Sequence, residues 1–483
     1  MQALHQLLQG ITVQRLIGDK NVFVKAICCN AQAASPDSLF VAIQGTHANG
    51  HAYIQQAIAG GSQVIVCEAV PEALVANITY VVVAQSAKAL GLIAANFYDN
   101  PSTKLQLIAV TGTNGKTSTV HLLYGLFKQL GYQVGMLSTT YNKIQEQTLP
   151  ATLTTPDAIQ LNALLARMVK QGCAYCFMEA SSHAIVQERI AGLKFVGALF
   201  LNINHDHLDY HKTFDAYISA KKKLFDELPA SAFALYNADD KRGAVMVQNT
   251  KAAIHSFALK SPATFTAKLL ANTWQGLCLR IAGKEAWFQL LGAFNGSNLL
   301  AAYAAACLLK QESDDALIAL SSLPPIVGRF QCMHTPNKAL IIIDYAHKPK
   351  ALEKVLTAIC QIKNQQAKVI TVVGCGGNRD PQKRPLMAQI ACKHSHQVIF
   401  TTDNPRNEEP MAIIEEMKLG IDSLQQAKTL TIIDRVTAIK VACQLANSRD
   451  IVLIAGKGHE TYQEIKGKKY PLHDEAIVQA CLS

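Results

Sequence analysis

Residues 105–118 read LQLIAVTGTNGKTS. The apolar run from Leu105 to Val110 has the length and composition of a buried strand. It ends in a glycine-rich turn, and Lys116 and Thr117 then open a helix-like segment. Each residue type there suits an anion. Gly112 and Gly115 let backbone N–H groups come close to phosphate oxygens. The helix beginning near Thr117 points its positive end at them. Lys116 adds a charge for the outer phosphates, and the Thr117 hydroxyl can ligate a divalent cation. The common loop pattern G-x-x-x-x-G-K-[ST] is not met, because Val110 stands where its first glycine belongs. A nucleotide-binding loop that starts at Gly112 is favoured over a plain strand-to-helix turn.

On either side of this loop the chain alternates apolar runs with helical patterns. Before it stand LFVAIQG, SQVIVCE and TYVVVA, closed by the turn Asp99-Asn100-Pro101-Ser102. After it come QVGMLST, AYCFMEA and VGALFLNI, up to the Pro324-Pro325 turn and Gly328. From residue 339, the runs ALIIID, KVITVVG, QVIFTTD, TLTIID and DIVLIAG lead into the polar clusters DYAH, CGGNRD, DNPR, DR and KGHE. Such alternation predicts an α/β fold with mainly parallel sheets. Ligands of open parallel sheets bind beyond the carboxyl ends of the strands, so these clusters predict a substrate site at that edge. At about 150 residues per domain, a length of 483 suits three domains, placed at 1–100, 101–330 and 331–483.

Bulk properties narrow the class. Apolar residues make up 49% and charged ones 17%, the balance of an ordinary enzyme with large cores. A net charge of +10 suits small anionic substrates. No dense Lys/Arg block or RNA-binding signature supports a nucleic-acid partner. The thirteen cysteines follow no disulfide framework. Cys173 and Cys176 form a C-x-x-C inside an apolar run, with no second pair at zinc spacing, and are read as reduced core thiols. The N-terminus MQALHQLLQG lacks the basic region and long apolar core of a signal peptide. The segment LLGAFNGSNLLAAYAAACLL, residues 290–309, has about the length of a membrane span. Gly292, Asn295, Gly296, Ser297 and Asn298 break its first half, which predicts a buried helix starting near Ser297. A cytoplasmic monomer without a membrane span is expected.

Further residues carry candidate chemistry. Glu179 ends the run CAYCFM, where a carboxylate can hold Mg²⁺ beside the loop or simply cap a helix. NINHDHLDYH, residues 202–211, offers three histidines and two aspartates. Mg²⁺ prefers oxygen ligands, so at most one of these histidines is expected near it. In TFDAYISAKKKLF, residues Phe214, Tyr217, Ile218, Leu224 and Phe225 form one helical stripe. Of the three adjacent lysines only Lys221 lies on that stripe; Lys222 and Lys223 are read as a solvated face. A buried lysine has a lowered pKa, and a neutral amine reacts with CO₂ to give a carbamate; the alternative is that Lys221 snorkels to the surface. Arg379 and Arg406 suit carboxylates and Glu460 suits an amine, or all three take part in ordinary salt bridges.

The motifs TGTNGKTS, MEASSHAIVQER, DHLDYH, the pair Ala220-Lys221, AFNGSNLLAA, VGRF, DYAHKP, GCGGNRD, DNPR and AGKGHE occur in this order. Together they resemble the Mur ligase family of bacterial peptidoglycan synthesis, over residues 36–475. The resemblance implies a domain for a UDP-linked substrate, a central P-loop ATPase domain and a C-terminal Rossmann-like domain. It implies ATP and Mg²⁺ as cofactors, with UDP-N-acetylmuramoyl-L-Ala-D-Glu and an amino acid as substrates. ATP would phosphorylate the γ-carboxylate of the D-Glu. An amine of the amino acid would then attack the acyl phosphate, giving an amide, ADP and phosphate.

Residue roles follow from the same resemblance. Gly112, Thr113, Asn114, Gly115, Lys116, Thr117 and Ser118 would hold ATP, with Asn298 at the adenine and Arg329, Asp344 and His347 also on the nucleotide. Thr117 and Glu179 would bind Mg²⁺, with His207 near a second ion. Lys221 would carry a CO₂-derived carbamate as an extra oxygen ligand, completing a catalytic set with Lys116, Glu179 and His207. Thr154, Thr155, Ser181, Gln187 and Arg189 would hold the muramoyl dipeptide. Arg379, Asp403, Asn404, Pro405, Arg406, Gly456 and Glu460 would bind the amino acid. The DNPR form of 403–406 is similar to the members that add meso-diaminopimelate, where Arg406 would pair with the distal carboxylate that lysine lacks. Some positions depart from the family pattern. Asn30-Ala31-Gln32 replaces an Asp-Ser-Arg near the uridine, Asn49 stands where Asp is common, and Lys348 where Thr is. Other readings are a lysine-adding or folylpolyglutamate synthetase-like ligase, and a P-loop switch ATPase. The last has no Asn-Lys-x-Asp motif to support it and no use for DNPR and KGHE.

Overall fold

Each apolar run singled out above forms a strand, and most are buried along their whole length. Burial on both faces is what parallel strands covered by helices require. The structure is a computed structural model that describes residues 1–45 and 48–482. The chain divides into two units, Met1–Thr266 with Leu300–Ala319, and Ala267–Leu299 with Leu320–Ser483.

Among the described residues the first unit holds two large sheets and the short pair Gln2–Ala3 with Phe23–Val24. The N-terminal one runs in the order Val13–Ile17, Thr79–Val83, Ser62–Cys67, Ser38–Val41, Ala26–Cys28, with only the first pair antiparallel. Asn30 and Asn49, two of the departures noted above, each cap a short 3₁₀ helix here, accepting from Gln32 N–H and His51 N–H at 3.0 Å. Asn caps as well as Asp does, so the change at Asn49 costs this turn nothing. The expected turn after residue 98 is present, with Asp99 and Asn100 left-handed before Pro101–Thr103. In the second sheet Gln106–Thr111 lies between Tyr175–Glu179 and Gly197–Phe200, all parallel. Val134–Leu137, Phe233–Asn237 and Ala253–Ala258 extend it in parallel on the two sides. The hairpin Tyr141–Ile144 and Gln147–Pro150 closes one edge antiparallel, an element the alternation did not predict.

The second unit carries a six-stranded sheet in the order Gln331–His334, Leu340–Asp344, Ile451–Ala455, Val369–Val373, Gln397–Phe400, Thr429–Thr431. All its pairs are parallel except the first. Ile342, Val373, Phe400 and Leu453 pack with Leu356, Met387 and Ile414 from the helices on one face. Ile341, Val372, Ile399 and Ile454 pack with Ile439 and Ala442 on the other. Two antiparallel hairpins, Gly276–Ile281 with Lys284–Phe288 and Tyr462–Ile465 with Lys468–Pro471, were not expected.

The helix expected from Ser297 spans Ala293–Leu308 instead, because Asn295 bonds back to Leu291 O at 2.8 Å and Gly296 is carried inside. Its 16 residues reach about 24 Å, and among the described residues no helix is long and apolar enough to cross a membrane.

Candidate active site

The loop at 112–115 sits at the carboxyl end of Gln106–Thr111 and leads into the helix Lys116–Gln129. Gly115 precedes that helix with φ 88°, a conformation glycine adopts without a Cβ clash. Asn202 pins the loop: its carbonyl accepts from Thr113 N–H at 2.8 Å, its Oδ1 accepts from Asn114 N–H at 3.0 Å, and its Nδ2 donates to Asn114 O at 3.0 Å. Tyr217 OH meets Thr113 Oγ1 at 3.1 Å. Lys116 Nζ donates to the carbonyls of Gly112 at 2.8 Å and Thr113 at 3.1 Å. The lysine therefore lies folded over the loop, and Ser118 is buried in the first turn of the helix.

Glu179 is almost fully buried at 1% exposure. It accepts from Thr117 Oγ1 and Thr139 N–H, both at 2.8 Å, and from Thr139 Oγ1 at 3.1 Å. A carboxylate and a hydroxyl in contact are hard oxygen donors of the kind Mg²⁺ takes, with waters and phosphates filling its other positions. Among the described residues no group of three or more His, Cys, Asp or Glu is arranged to hold a metal. His207 is half-buried beside Asp206, with its ring edge-on to His183 at 4.8 Å between centroids. His211 is buried against Ser182 Oγ at 2.9 Å, and His205 is exposed, stacked on Phe214.

Lys221 lies on the buried stripe of the helix Phe214–Asp226, with 1% of its surface exposed. Its Nζ donates to Gly112 O at 3.1 Å and lies within 3.4 Å of Thr111 Oγ1. Burial, and then the charge of Lys116, hold its pKa well below that of an ordinary lysine, with Asp206 pulling the other way. The snorkelling alternative is excluded. Lys222 and Lys223 are not a purely solvated face: they are half-buried and paired with Asp226 and Glu188.

The five residues assigned to the muramoyl dipeptide share one polar network in the first unit. Thr154 Oγ1 lies 3.2 Å from Thr139 Oγ1, and Thr155 Oγ1 donates to Glu179 O at 2.7 Å. Ser181 caps the helix Ser182–Val186 and donates its N–H to Thr155 Oγ1 at 3.2 Å. Arg189 donates to Gln187 Oε1 at 2.6 Å and to Thr155 O at 2.9 Å.

The amino-acid set converges in the second unit. Arg379 and Arg406 flank Gly376, where a Cβ would stand 3.1 Å from Arg406 Nη1 and 3.8 Å from Arg379 Cγ. Asp403 Oδ1 accepts from Asn404 N–H at 2.7 Å. Pro405 O packs so close to Gly377 that a Cβ there would lie 2.0 Å away. A side chain on Gly456, at φ 116°, would meet Asp403 Oδ2 at 2.7 Å. Glu460 Oε2 accepts from Asn404 Nδ2 at 2.9 Å and from Lys457 Nζ at 2.8 Å. Lys457 is fully buried and was missed in the sequence, although it lies inside KGHE. Of the residues assigned to ATP in this unit, Arg329, Asp344 and His347 sit by KGHE, where Gly456 N–H donates to Asp344 O at 3.0 Å and the Tyr345 and His459 rings lie 4.9 Å apart. Arg329 stacks over the Tyr345 ring at 4.7 Å, and Asp344 Oδ2 accepts from Phe330 N–H at 2.7 Å. His347 Nδ1 lies 2.8 Å from Tyr345 O, and burial, then Lys348 and Lys383, lower its pKa to about 4. Asn298 donates to Asn295 Oδ1 at 2.9 Å.

Residues 24–98 match the Mur ligase family catalytic domain, 110–306 the Mur ligase middle domain, and 328–458 the Mur ligase glutamate ligase domain. The UDP-N-acetylmuramoyl-L-alanyl-D-glutamate–2,6-diaminopimelate ligase of Cytophaga hutchinsonii is 52% identical over 480 residues, 99% of each chain. The chain belongs to the Mur ligase family. A solved structure of a UDP-N-acetylmuramoyl-L-alanyl-D-glutamate–2,6-diaminopimelate ligase superposes on this Mur ligase with a TM-score of 0.72 at 30% identity, covering 100% of this chain and 99% of that one. A MurF ligase from Thermotoga maritima, solved with ADP, shares the fold at a TM-score of 0.61 and 18% identity, over 90% of this chain and 95% of that one.

Proposed function

We propose that this Mur ligase joins meso-diaminopimelate to the D-Glu of UDP-N-acetylmuramoyl-L-Ala-D-Glu, using ATP, in cytoplasmic peptidoglycan precursor synthesis. The observation that carries the reading is the 52% identity, over 99% of both chains, to a ligase of that name. The geometry supports the chemistry. Loop amides and Lys116 hold the phosphates of ATP in line with the γ-carboxylate of D-Glu, because phosphoryl transfer depends on positioning and charge neutralisation. Mg²⁺, when bound by Thr117 and Glu179, with His207 near a second ion, neutralises phosphate charge. The dipeptide is oriented by Thr154, Thr155, Ser181, Gln187 and Arg189. Lys221, whose pKa burial lowers, would add its nitrogen to CO₂ with release of one proton, and the resulting carbamate would supply oxygen ligands near Gly112. Arg379, Asp403, Asn404, Pro405, Arg406, Gly456 and Glu460 hold the amino acid so that its amine displaces phosphate from the acyl phosphate. Domains at 1–100, 101–330 and 331–483 fit the three separate stretches that match the family.

The test is phosphate release from ATP with purified protein. Release should require both the UDP-muramoyl dipeptide and meso-diaminopimelate, with lysine much poorer. Equal rates with lysine refute the assignment of the amino acid. Hydrolysis that needs neither substrate refutes the ligase reading.

A further inference from the structure

Arg406 is held in a frame that reaches beyond DNPR. Its backbone is left-handed, with φ 52°, which a non-glycine residue keeps only where its surroundings impose it. The hairpin after KGHE imposes it. Arg406 N–H donates to Glu464 O at 3.0 Å, and Lys466 N–H donates to Arg406 O at 2.7 Å. Glu464 N–H donates to Asn404 Oδ1 at 2.9 Å, and Gln463 Nε2 to Asp403 O at 2.8 Å. The guanidinium is held as well: Nε donates to Glu464 Oε2 at 3.1 Å and Nη1 donates to Gly377 O at 2.9 Å.

A guanidinium carries five N–H donors in one plane, and only one of them is on Nε. With that donor committed to Glu464, a second carboxylate cannot take the side-on fork. The two Nη nitrogens carry four N–H groups between them, of which Gly377 O takes one on Nη1, so donors at that end of the plane remain for a ligand. We propose that Glu464 is a positioning residue that sets substrate specificity: it fixes the Arg406 plane so that the Nη1–Nη2 edge receives the distal carboxylate of the incoming amino acid end-on. This rests on the functional reading above. The contact pairs residues 58 positions apart, and no local pattern in the hairpin sequence YQEIKGKKYP links Glu464 to Arg406.

The experiment is steady-state phosphate release by full-length E464A and E464Q, with meso-diaminopimelate and lysine varied separately. In E464A the KM for diaminopimelate rises about tenfold, as for loss of one hydrogen bond to a charged group. In E464Q, whose amide oxygen still accepts from Nε, it rises less. In both variants kcat, the KM for the UDP-linked substrate and turnover of lysine stay within about twofold, so the preference for diaminopimelate falls about tenfold in E464A. A diaminopimelate KM unchanged in both variants overturns the proposal. A lowered KM overturns it too, since Glu464 would then be a competitor for Arg406. An equal rise in the KM for the UDP-linked substrate reduces Glu464 to general structural support. If E464A does not fold, E464Q decides on the same criteria. A wild-type enzyme with no diaminopimelate-dependent release refutes the functional reading, a different failure.

Discussion

Replacing Glu179 by Gln separates folding from chemistry at the phosphate loop. The buried carboxylate accepts three hydrogen bonds, two at 2.8 Å on Oε1 and one at 3.1 Å on Oε2. Gln keeps the size and one carbonyl oxygen, which retains both short bonds when it takes the Oε1 position. The amide nitrogen then faces Thr139 Oγ1, a hydroxyl that can accept instead of donate. Three charge-assisted bonds become neutral ones of roughly half the strength. At about 1.5–3 kcal/mol for the former and about 1 for the latter, with non-additivity, the folded state loses about 1–3 kcal/mol. A domain with about 5–15 kcal/mol of stability survives that. The loss of charge at the loop is more severe. Removing one preorganised electrostatic group typically costs about 10²–10³ in kcat. Urea unfolding and phosphate release at several Mg²⁺ concentrations measure the two effects on one preparation. The expected result is a folded protein with a modestly lower urea midpoint, kcat down about a hundredfold or more, and a higher Mg²⁺ requirement. A folded E179Q that keeps kcat within about tenfold of wild type at the same Mg²⁺ refutes the placing of Glu179 at the phosphates.

Other perturbations test other parts of the molecule. Burial raises the Asp344 carboxyl to about 6 from an ordinary 3.8, against the pull of Arg329. Folded Asp344 keeps a proton that the unfolded chain has lost between those values, so its contribution falls by about 3 kcal/mol as pH rises through that window. D344N should therefore gain on wild type in urea midpoint between pH 4 and pH 7; a gap that does not change with pH refutes this. Arg435 and Asp474 form a bidentate ion pair at 2.8 and 2.7 Å with no exposed surface on either side chain. R435M strands the carboxylate and should cost about 3–5 kcal/mol, while the double variant R435M/D474L recovers most of it. Equal urea midpoints for the single and double variants contradict this. Lys348 holds the N-cap of Pro349–Ile362 without a side-chain cap bond. K348T should raise stability by about 1 kcal/mol, seen as a higher melting temperature.

The strand–loop–helix at 105–129 was legible because its causes are local: an apolar run, glycines at the turn and a helix start. The sheet edges were not. Tyr141–Pro150 and Lys284–Phe288 carry polar, exposed residues, and which strand each pairs with depends on segments far along the chain. Among the site residues, Lys116, Thr117 and Glu179 were marked by motif, and the structure brings the last two into contact across 62 positions. Asn202, Tyr217 and Lys457, which pin the loop and Glu460, carry no local signature of that work.

By itself the sequence determined the apolar core strands that alternate with helices and the stripe on which Lys221 lies, since both follow from backbone sterics and short-range periodicity. Only the tertiary structure decided what that lysine is. Its depressed pKa comes first from desolvation, the joint effect of everything packed around Nζ, and then from Lys116, more than a hundred residues away. The same holds for Arg406. DNPR names the arginine, but the direction of its free edge is set by Glu464 and Gly377, which reach it only because a hairpin and a loop fold against it.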